Sequence, residues 1–243
     1  MTETTIAENL ARIRQEIEKA CTDAGRQVDE VELLPVTKAH PVSVISEAVK
    51  AGCKNFGENR VQDMVAKATE LDDFISWVMI GHLQRNKVRA ACTVMRQLQS
   101  LDSIELAQAL ETEYSTKYHR GGLDLLVQVN TSQETTKHGV AVDEVLEFAE
   151  ALKAFPHLNP TGLMTVAHPD PALADKCFKT MATLQRQLRD RDGGGWDELS
   201  MGMSSDFVSA IAHGSTCIRI GTAIFGHRLV AGGAEPPDPS KET

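Results

Sequence analysis

Lys38 closes the run Val31-Glu-Leu-Leu-Pro-Val-Thr-Lys38, which is rich in valine and leucine and is followed by Ala-His-Pro41. An ammonium at the end of a buried strand must be paired, solvated or neutralised, because an isolated charge is costly to bury. A lysine that gives up its proton can attack an aldehyde and hold a cofactor as a Schiff base. A second set of chemical groups stands near the other end of the chain. There Gly202, Ser204 and Ser205 lead into a predicted helix that begins near Asp206 and stops at Gly214, and Arg219, Gly221 and Thr222 follow. Amides of glycine-rich loops, hydroxyls and a helix N-terminus together cradle a phosphate dianion. Each group also has a purely structural use: Lys38 in an ion pair, Gly202 and Gly221 in close packing, Ser204 as a helix cap, Arg219 paired with Glu58 or another buried acid.

The elements that must position these groups alternate along the chain. Apolar positions at Ile6, Leu10, Ile13, Ile17 and Cys21 recur at helical spacing, with Gly25 placed to end the helix. Eight candidate strands follow, at 31–38, 55–58, 77–82, 94–101, 123–130, 161–166, 198–204 and 217–225, separated by helical patterns. Asp102-Ser-Ile-Glu105 reads as a capping box, and Leu173, Cys177, Met181, Leu184 and Leu188 form one apolar stripe. This alternation predicts an α/β fold, a single (β/α)8 barrel of the TIM type over residues 1–230 with an extra N-terminal helix and a flexible tail at 231–243. An open doubly wound sheet is the alternative, but it would advertise a GxGxxG turn after its first strand, and none is present. Pro35 sits awkwardly in a closed sheet and predicts a bulge or local distortion three residues before Lys38. Barrel closure makes the first and eighth strands neighbours, so an amine and a phosphate cradle share one side of the mouth. An aldehyde and a phosphate on one small molecule describe pyridoxal 5′-phosphate (PLP).

Composition narrows the class. The net charge of -9 argues against a general nucleic-acid binder, and no apolar run reaches the length of a membrane span. Five scattered cysteines with no CxxC pair suit a reducing cytoplasm and read as small core residues.

Ordered blocks run through nearly the whole chain: Leu34-Pro-Val-Thr-Lys38, Phe56-Gly-Glu-Asn-Arg-Val-Gln62, Trp77-Val-Met-Ile-Gly-His-Leu-Gln-Arg-Asn-Lys87, Val127-Gln-Val-Asn130 with Lys137-His-Gly139, Gly162-Leu-Met-Thr165, Leu199-Ser-Met-Gly-Met-Ser204 and Arg219-Ile-Gly-Thr-Ala-Ile-Phe-Gly226. In this order they resemble the pyridoxal phosphate homeostasis protein family, the small PLP-binding barrels related to the N-terminal domain of alanine racemase. The resemblance implies that Lys38 is the Schiff-base lysine, that Ser204, Gly221 and Thr222 hold the phosphate, and that Arg219 faces the pyridine nitrogen. Asn59, His82 and Met201 complete the candidate cofactor contacts, the first two as polar residues at strand ends and Met201 as either core or cofactor-contacting filler. Pro35 and Ala39-His40 depart from the family pattern near the cofactor.

The resemblance further implies a PLP carrier serving intracellular homeostasis and delivery to apo PLP-dependent enzymes, without robust catalysis. An always-charged arginine can only donate, so it keeps the pyridine nitrogen unprotonated and weakens the ring as an electron sink. Alanine racemase also uses a tyrosine base from an additional β-domain. The chain ends at Thr243, just past the barrel, so that domain is expected to be absent, while Tyr114 and Tyr118 fall in and just after an outer helix. A monomer is expected. The alternatives are an amino-acid racemase of the alanine racemase type and a barrel that binds another phosphorylated metabolite without a covalent link.

Overall fold

The computed structural model describes residues 4–117, 122–132, 134 and 137–226. The expected tail at 231–243 and Tyr118 lie outside the described residues. The strands are β1 (Glu32–Pro35), β2 (Asn55–Glu58), β3 (Ser76–Met79), β4 (Met95–Leu101), β5 (Leu123–Asn130), β6 (Val140–Ala141), β7 (Leu158–Met164), β8 (Glu198–Ser200) and β9 (Cys217–Ile220). The helices are α1 (Ile6–Asp23), α2 (Val42–Lys50), α3 (Val61–Glu70), α4 (Val88–Ala91), α5 (Ile104–Lys117), α6 (Val145–Leu152), α7 (Pro171–Asp192), α8 (Phe207–Ala212) and α9 (Thr222–Phe225). All strand pairings are parallel, in the order β1-β9-β8-β7-β5-β4-β3-β2, with the two-residue β6 attached to β5. The two ends of that order meet at the bridge Val36↔Gly57, which makes a nearly closed (β/α)8 barrel. Among the described residues no helix is long and apolar enough to cross a membrane.

Local signals explain the long helices. Thr5 and Glu8 form a reciprocal capping box at the start of α1, and Gly25 takes φ +68 just past its end. Asp170 caps α7, Pro171 occupies its first turn, and Gly193 at φ +75 stops it. The α5 start differs from expectation. Ser103 Oγ accepts from the Leu106 amide at 3.4 Å, so Ser103 caps this helix and the Asp102 carboxylate is directed elsewhere.

Two apolar clusters divide the interior. The larger lies between sheet and helices and includes Phe56, Leu98, Leu163, Leu199, Met201, Ile218 and Ile220. The smaller joins Leu34, Val78 and Cys217 with Ile80 inside the barrel. Alternation along β9 therefore turns Cys217 inward and Ile218 and Ile220 outward. All five cysteines are buried and unbridged, as the composition suggested.

Several strands stop short of their expected ends. The first is regular only to Pro35, and the last becomes the helix α9 after Ile220, because Gly221 leaves the sheet with φ -111 and ψ -78. Pro35 brings no bulge: it stays in register opposite Ile220. Its effect falls on the other side. Glu32 and Val36 donate their amides to the β9 side, to Thr216 O and Ile220 O at 2.8 Å each, whereas Thr37 donates to Gly57 O at 3.0 Å on β2. By alternation the missing Pro35 amide faces β2, so β1 and β2 share an isolated bridge instead of a ladder.

Side chains hold this seam at both ends. At its base Asn55 Nδ2 donates to Glu32 Oε1 at 2.6 Å. Near the mouth Glu58, fully buried, accepts from Thr37 Oγ1 at 2.6 Å and pairs with Lys67 of α3. Lys67 Nζ also donates to Thr37 O at 2.8 Å. Removing one member of such a buried pair strands the other. Lys67→Met is therefore expected to lower the unfolding free energy by about 3–5 kcal/mol, measured by urea denaturation; a loss under about 1 kcal/mol would mean the seam does not rely on it.

Burial pushes the Cys217 thiol up to about 11 and the Cys92 thiol up to about 12. Roughly one Cys217 thiol in a thousand would be ionised at pH 8, so a disulfide reagent should label the folded protein slowly and all thiols on unfolding. Rapid labelling of the native protein would contradict the burial.

Candidate functional site

The mouth end of β1 abuts the loop after β9. Beyond the Val36 amide bond to Ile220, a Cβ built on Gly221 would lie 3.2 Å from Val36 O, so the two backbones are nearly in contact. Lys38 follows two residues after Val36, exposed, in a turn where Ala39 takes φ +62 and the His40 amide returns to Thr37 O at 3.1 Å. The structure thus places the lysine on the rim, past the strand rather than at its buried end. His40 packs against Phe225 of α9, ring centroids 5.2 Å apart, which ties the turn after Lys38 to the helix after β9.

The loop after β8 lies on the other side of β9. The Met201 amide donates to Cys217 O at 3.1 Å and the Arg219 amide to Gly202 O at 3.0 Å, carrying the pairing past the end of β8. Gly202 has φ +97, and a Cβ there would come within 2.7 Å of Ala210 Cβ, so only glycine fits. Ser204 and Ser205 follow, both exposed. Ser204 is not the helix cap: Asp206 holds that position, and its Oδ1 accepts from the Met203 amide at 2.6 Å. The carboxyl end of α9 is held by α1, through Asn9 Nδ2 to Ile224 O at 3.0 Å and Arg12 Nη2 to Ala223 O at 3.2 Å. Gly221 and Thr222 consequently head this helix at the mouth.

Arg219 lies beneath these loops, 5% exposed. Its Nη1 donates to Ser200 Oγ and its Nη2 to Thr165 O, both at 2.7 Å. Ser200 Oγ in turn donates to Gln99 Oε1 at 2.6 Å, Gln99 Nε2 to Gln97 Oε1 at 2.9 Å, and Gln97 Nε2 to Glu198 Oε2 at 2.9 Å. Glu58 is committed to Lys67 and Thr37, so the pairing of Arg219 with Glu58 is not formed. Among the described residues no carboxylate lies within ion-pair distance of Arg219. Burial lowers its pKa from the ordinary guanidinium value, yet an arginine stays charged. A buried cation whose hydrogen-bond partners, Ser200 Oγ and Thr165 O, are neutral oxygens suits a neutral acceptor such as a ring nitrogen.

Ser200, Gln99 and Thr165 escaped sequence reasoning. Gln97 and Gln99 did leave a trace, as long amide side chains at alternate positions of the strand, on either side of Leu98.

The remaining candidates separate. Met201, fully buried, belongs to the outer apolar cluster. Asn59 follows β2 and lies under Gly81, where an added Cβ would come 2.3 Å from Asn59 O. His82 Nδ1 donates to Asp102 Oδ2 at 2.8 Å, and its ring stacks on His138 with ring centroids 3.9 Å apart. Lys38, Ser204, Arg219, Gly221 and Thr222 therefore gather around β8, β9 and β1, while Asn59 and His82 stand on the rim after β2 and β3.

Residues 6–229 match the family model of the alanine racemase N-terminal domain. A protein of Haemophilus influenzae named pyridoxal phosphate homeostasis protein is 39% identical over 229 residues, covering 92% of this chain and 96% of that protein. Among solved structures, a protein of Bifidobacterium adolescentis described as unknown superposes with a TM-score of 0.85 at 31% identity, over 90% of this chain and 94% of that one. PipY of Synechococcus elongatus, solved with PLP bound, superposes with a TM-score of 0.80 at 32% identity, over 91% of this chain and 100% of its own. The chain belongs to the pyridoxal phosphate homeostasis protein family, within the alanine racemase N-terminal domain group.

Proposed function

We propose that this protein binds PLP at the barrel mouth, holds it covalently through Lys38, and serves PLP homeostasis by handing the cofactor to apo PLP-dependent enzymes. The observation that carries this reading is the seating of β1 beside β9. It brings the Lys38 turn, the Gly221–Thr222 helix start and the buried Arg219 to one side of the mouth. The naming of the Haemophilus relative and the PLP bound to PipY support it.

When bound, PLP supplies an electrophilic aldehyde and an electron-withdrawing ring. Lys38 would hold the aldehyde carbon, and its exposure leaves the amine open to solvent. Ser204, Gly221 and Thr222 would hold the phosphate through hydroxyls and backbone amides. Arg219 would donate to the pyridine nitrogen and keep a proton off it, which limits carbanion stabilisation and favours holding the cofactor over turning over amino acids. Asn59 would close the site from the β2 side. His82 is engaged by Asp102 and is left out of these contacts. Tyr114 is buried in α5 within the outer apolar cluster, so among the described residues no tyrosine stands at the mouth. A cytoplasmic location and a monomeric state belong to the same reading, the first supported by five unbridged buried thiols.

Borohydride reduction of the PLP-loaded protein followed by peptide mapping should find the label on Lys38. Lys38→Ala should lose essentially all of it with its circular dichroism unchanged, and a label on another lysine would refute the assignment. Arg219→Gln should shift the absorbance maximum of bound PLP; an unaltered spectrum would mean Arg219 does not touch the ring. Transfer to an apo-enzyme should outpace release into solution, with negligible exchange of amino-acid α-protons in deuterated water. Rapid exchange would point to the racemase alternative instead.

A further inference from the structure

We propose that His82, Asp102 and His138 form a binding site for one divalent transition-metal ion of the zinc class on the barrel rim. Their ligand atoms all lie within 4.8 Å of one another. Asp102 Oδ2 is 2.8 Å from His82 Nδ1 and 3.8 Å from His138 Nδ1, so both rings turn the same nitrogen toward one carboxylate oxygen. Zinc bound at about 2.0–2.1 Å in tetrahedral geometry holds its ligand atoms roughly 3.3 Å apart. The observed separations bracket that value.

The three residues come from separate strand ends: His82 after β3, Asp102 after β4, His138 between β5 and β6. Each is held from below. Ser100 Oγ donates to Gly81 O at 2.6 Å, beside His82, and Gln128 Nε2 donates to His138 O at 3.0 Å. Because Ser103 caps α5, the Asp102 carboxylate is left to the histidines, with its side chain only 8% exposed. The neighbouring Lys137 is paired with Glu134 at 2.6 Å, so its charge is offset.

Two imidazoles and one carboxylate select zinc, copper, nickel or iron over magnesium and calcium, which prefer all-oxygen sites. The ion would take the place of the proton shared by His82 and Asp102. The two rings are now nearly parallel, at 10°, and parallel planes cannot both contain one ion. Binding therefore rotates the His138 ring out of the stack, which its 58% side-chain exposure allows. Three protein ligands leave a fourth position open to water or to an anionic ligand at the mouth. The site takes His82 from the sequence-predicted cofactor contacts but uses none of the residues that the proposed function gives to PLP, so it stands or falls separately from that reading.

The test is calorimetric titration of the chelator-treated full chain with zinc chloride, with cobalt(II) absorbance as a second readout of nitrogen and oxygen ligation. One equivalent should bind. His82→Ala and His138→Ala, both at exposed positions, should each weaken binding by about tenfold or more, and Asp102→Asn likewise. His213→Ala, at a lone His–Asp pair elsewhere, and Lys38→Ala should bind as the parent does. Failure of the parent to bind one equivalent, or undiminished binding by the His82→Ala/His138→Ala double variant, would overturn the proposal.

Discussion

The Val36 amide on Ile220 O and the Thr37 amide on Gly57 O seat the first strand between the last and the second, and the geometry of the mouth follows from that closure. Pro35 removes one of the hydrogen bonds that would join β1 to β2, so a ladder gives way to a bridge. The load passes to side chains. Glu58 and Lys67 are buried where the sheet meets α3, and both reach Thr37, the residue immediately before Lys38. A charge pair of this kind stabilises little relative to an apolar packing but penalises any arrangement that parts its members. It therefore fixes the position of the turn that carries the lysine. An exposed amine on a rigidly anchored turn combines access with placement.

Below the mouth the barrel is filled by hydrogen bonds as well as by hydrocarbon. Arg219, Ser200, Gln99, Gln97 and Glu198 are linked across strands β9, β8 and β4, beside the apolar group of Leu34, Val78 and Cys217, with which they share strand register. Such a chain tolerates burial because its members are satisfied: no buried side-chain nitrogen or oxygen among the described residues lacks a partner. The network holds the guanidinium in one orientation without neutralising it with an acid. A guanidinium held in this way can donate to a neutral nitrogen but cannot protonate it.

The rim carries two separate sets of chemical groups. Its β8–β9–β1 side gathers the groups suited to an aldehyde and a phosphate. The side after β3, β4 and β5 gathers two imidazoles and a carboxylate. Both rest on the same principle of barrel architecture, in which strand ends distant in sequence project onto one face.

Much of the fold was legible from periodicity. The order of the eight barrel strands, the α1 stripe, the α7 stripe from Cys177 to Leu188, the buried cysteines and the absence of a dinucleotide-binding turn all follow from residue spacing, because burial imposes a local repeat on each element, whereas Leu173, expected in the α7 stripe, is exposed at the start of that helix. The bounds of β2 and β5 matched the expected ranges for the same reason. The helix α9 was hidden, since Thr-Ala-Ile-Phe after a strand reads as more strand, and only packing against α1 and His40 bends it away. Likewise the motif Asp102-Ser-Ile-Glu105 marked a helix start but not which residue capped it. Lys38 and the glycine loops were visible as chemistry. Barrel closure decided their adjacency, and strand pairing and helix packing decided the partners of Arg219, the Glu58–Lys67 clamp and the His82–Asp102–His138 cluster. Local propensity acts over a few residues, whereas these contacts join residues 9 positions apart in the Glu58–Lys67 pair, 54 in Arg219–Thr165 and 184 in Val36–Ile220, and nothing in a neighbouring stretch of sequence records them.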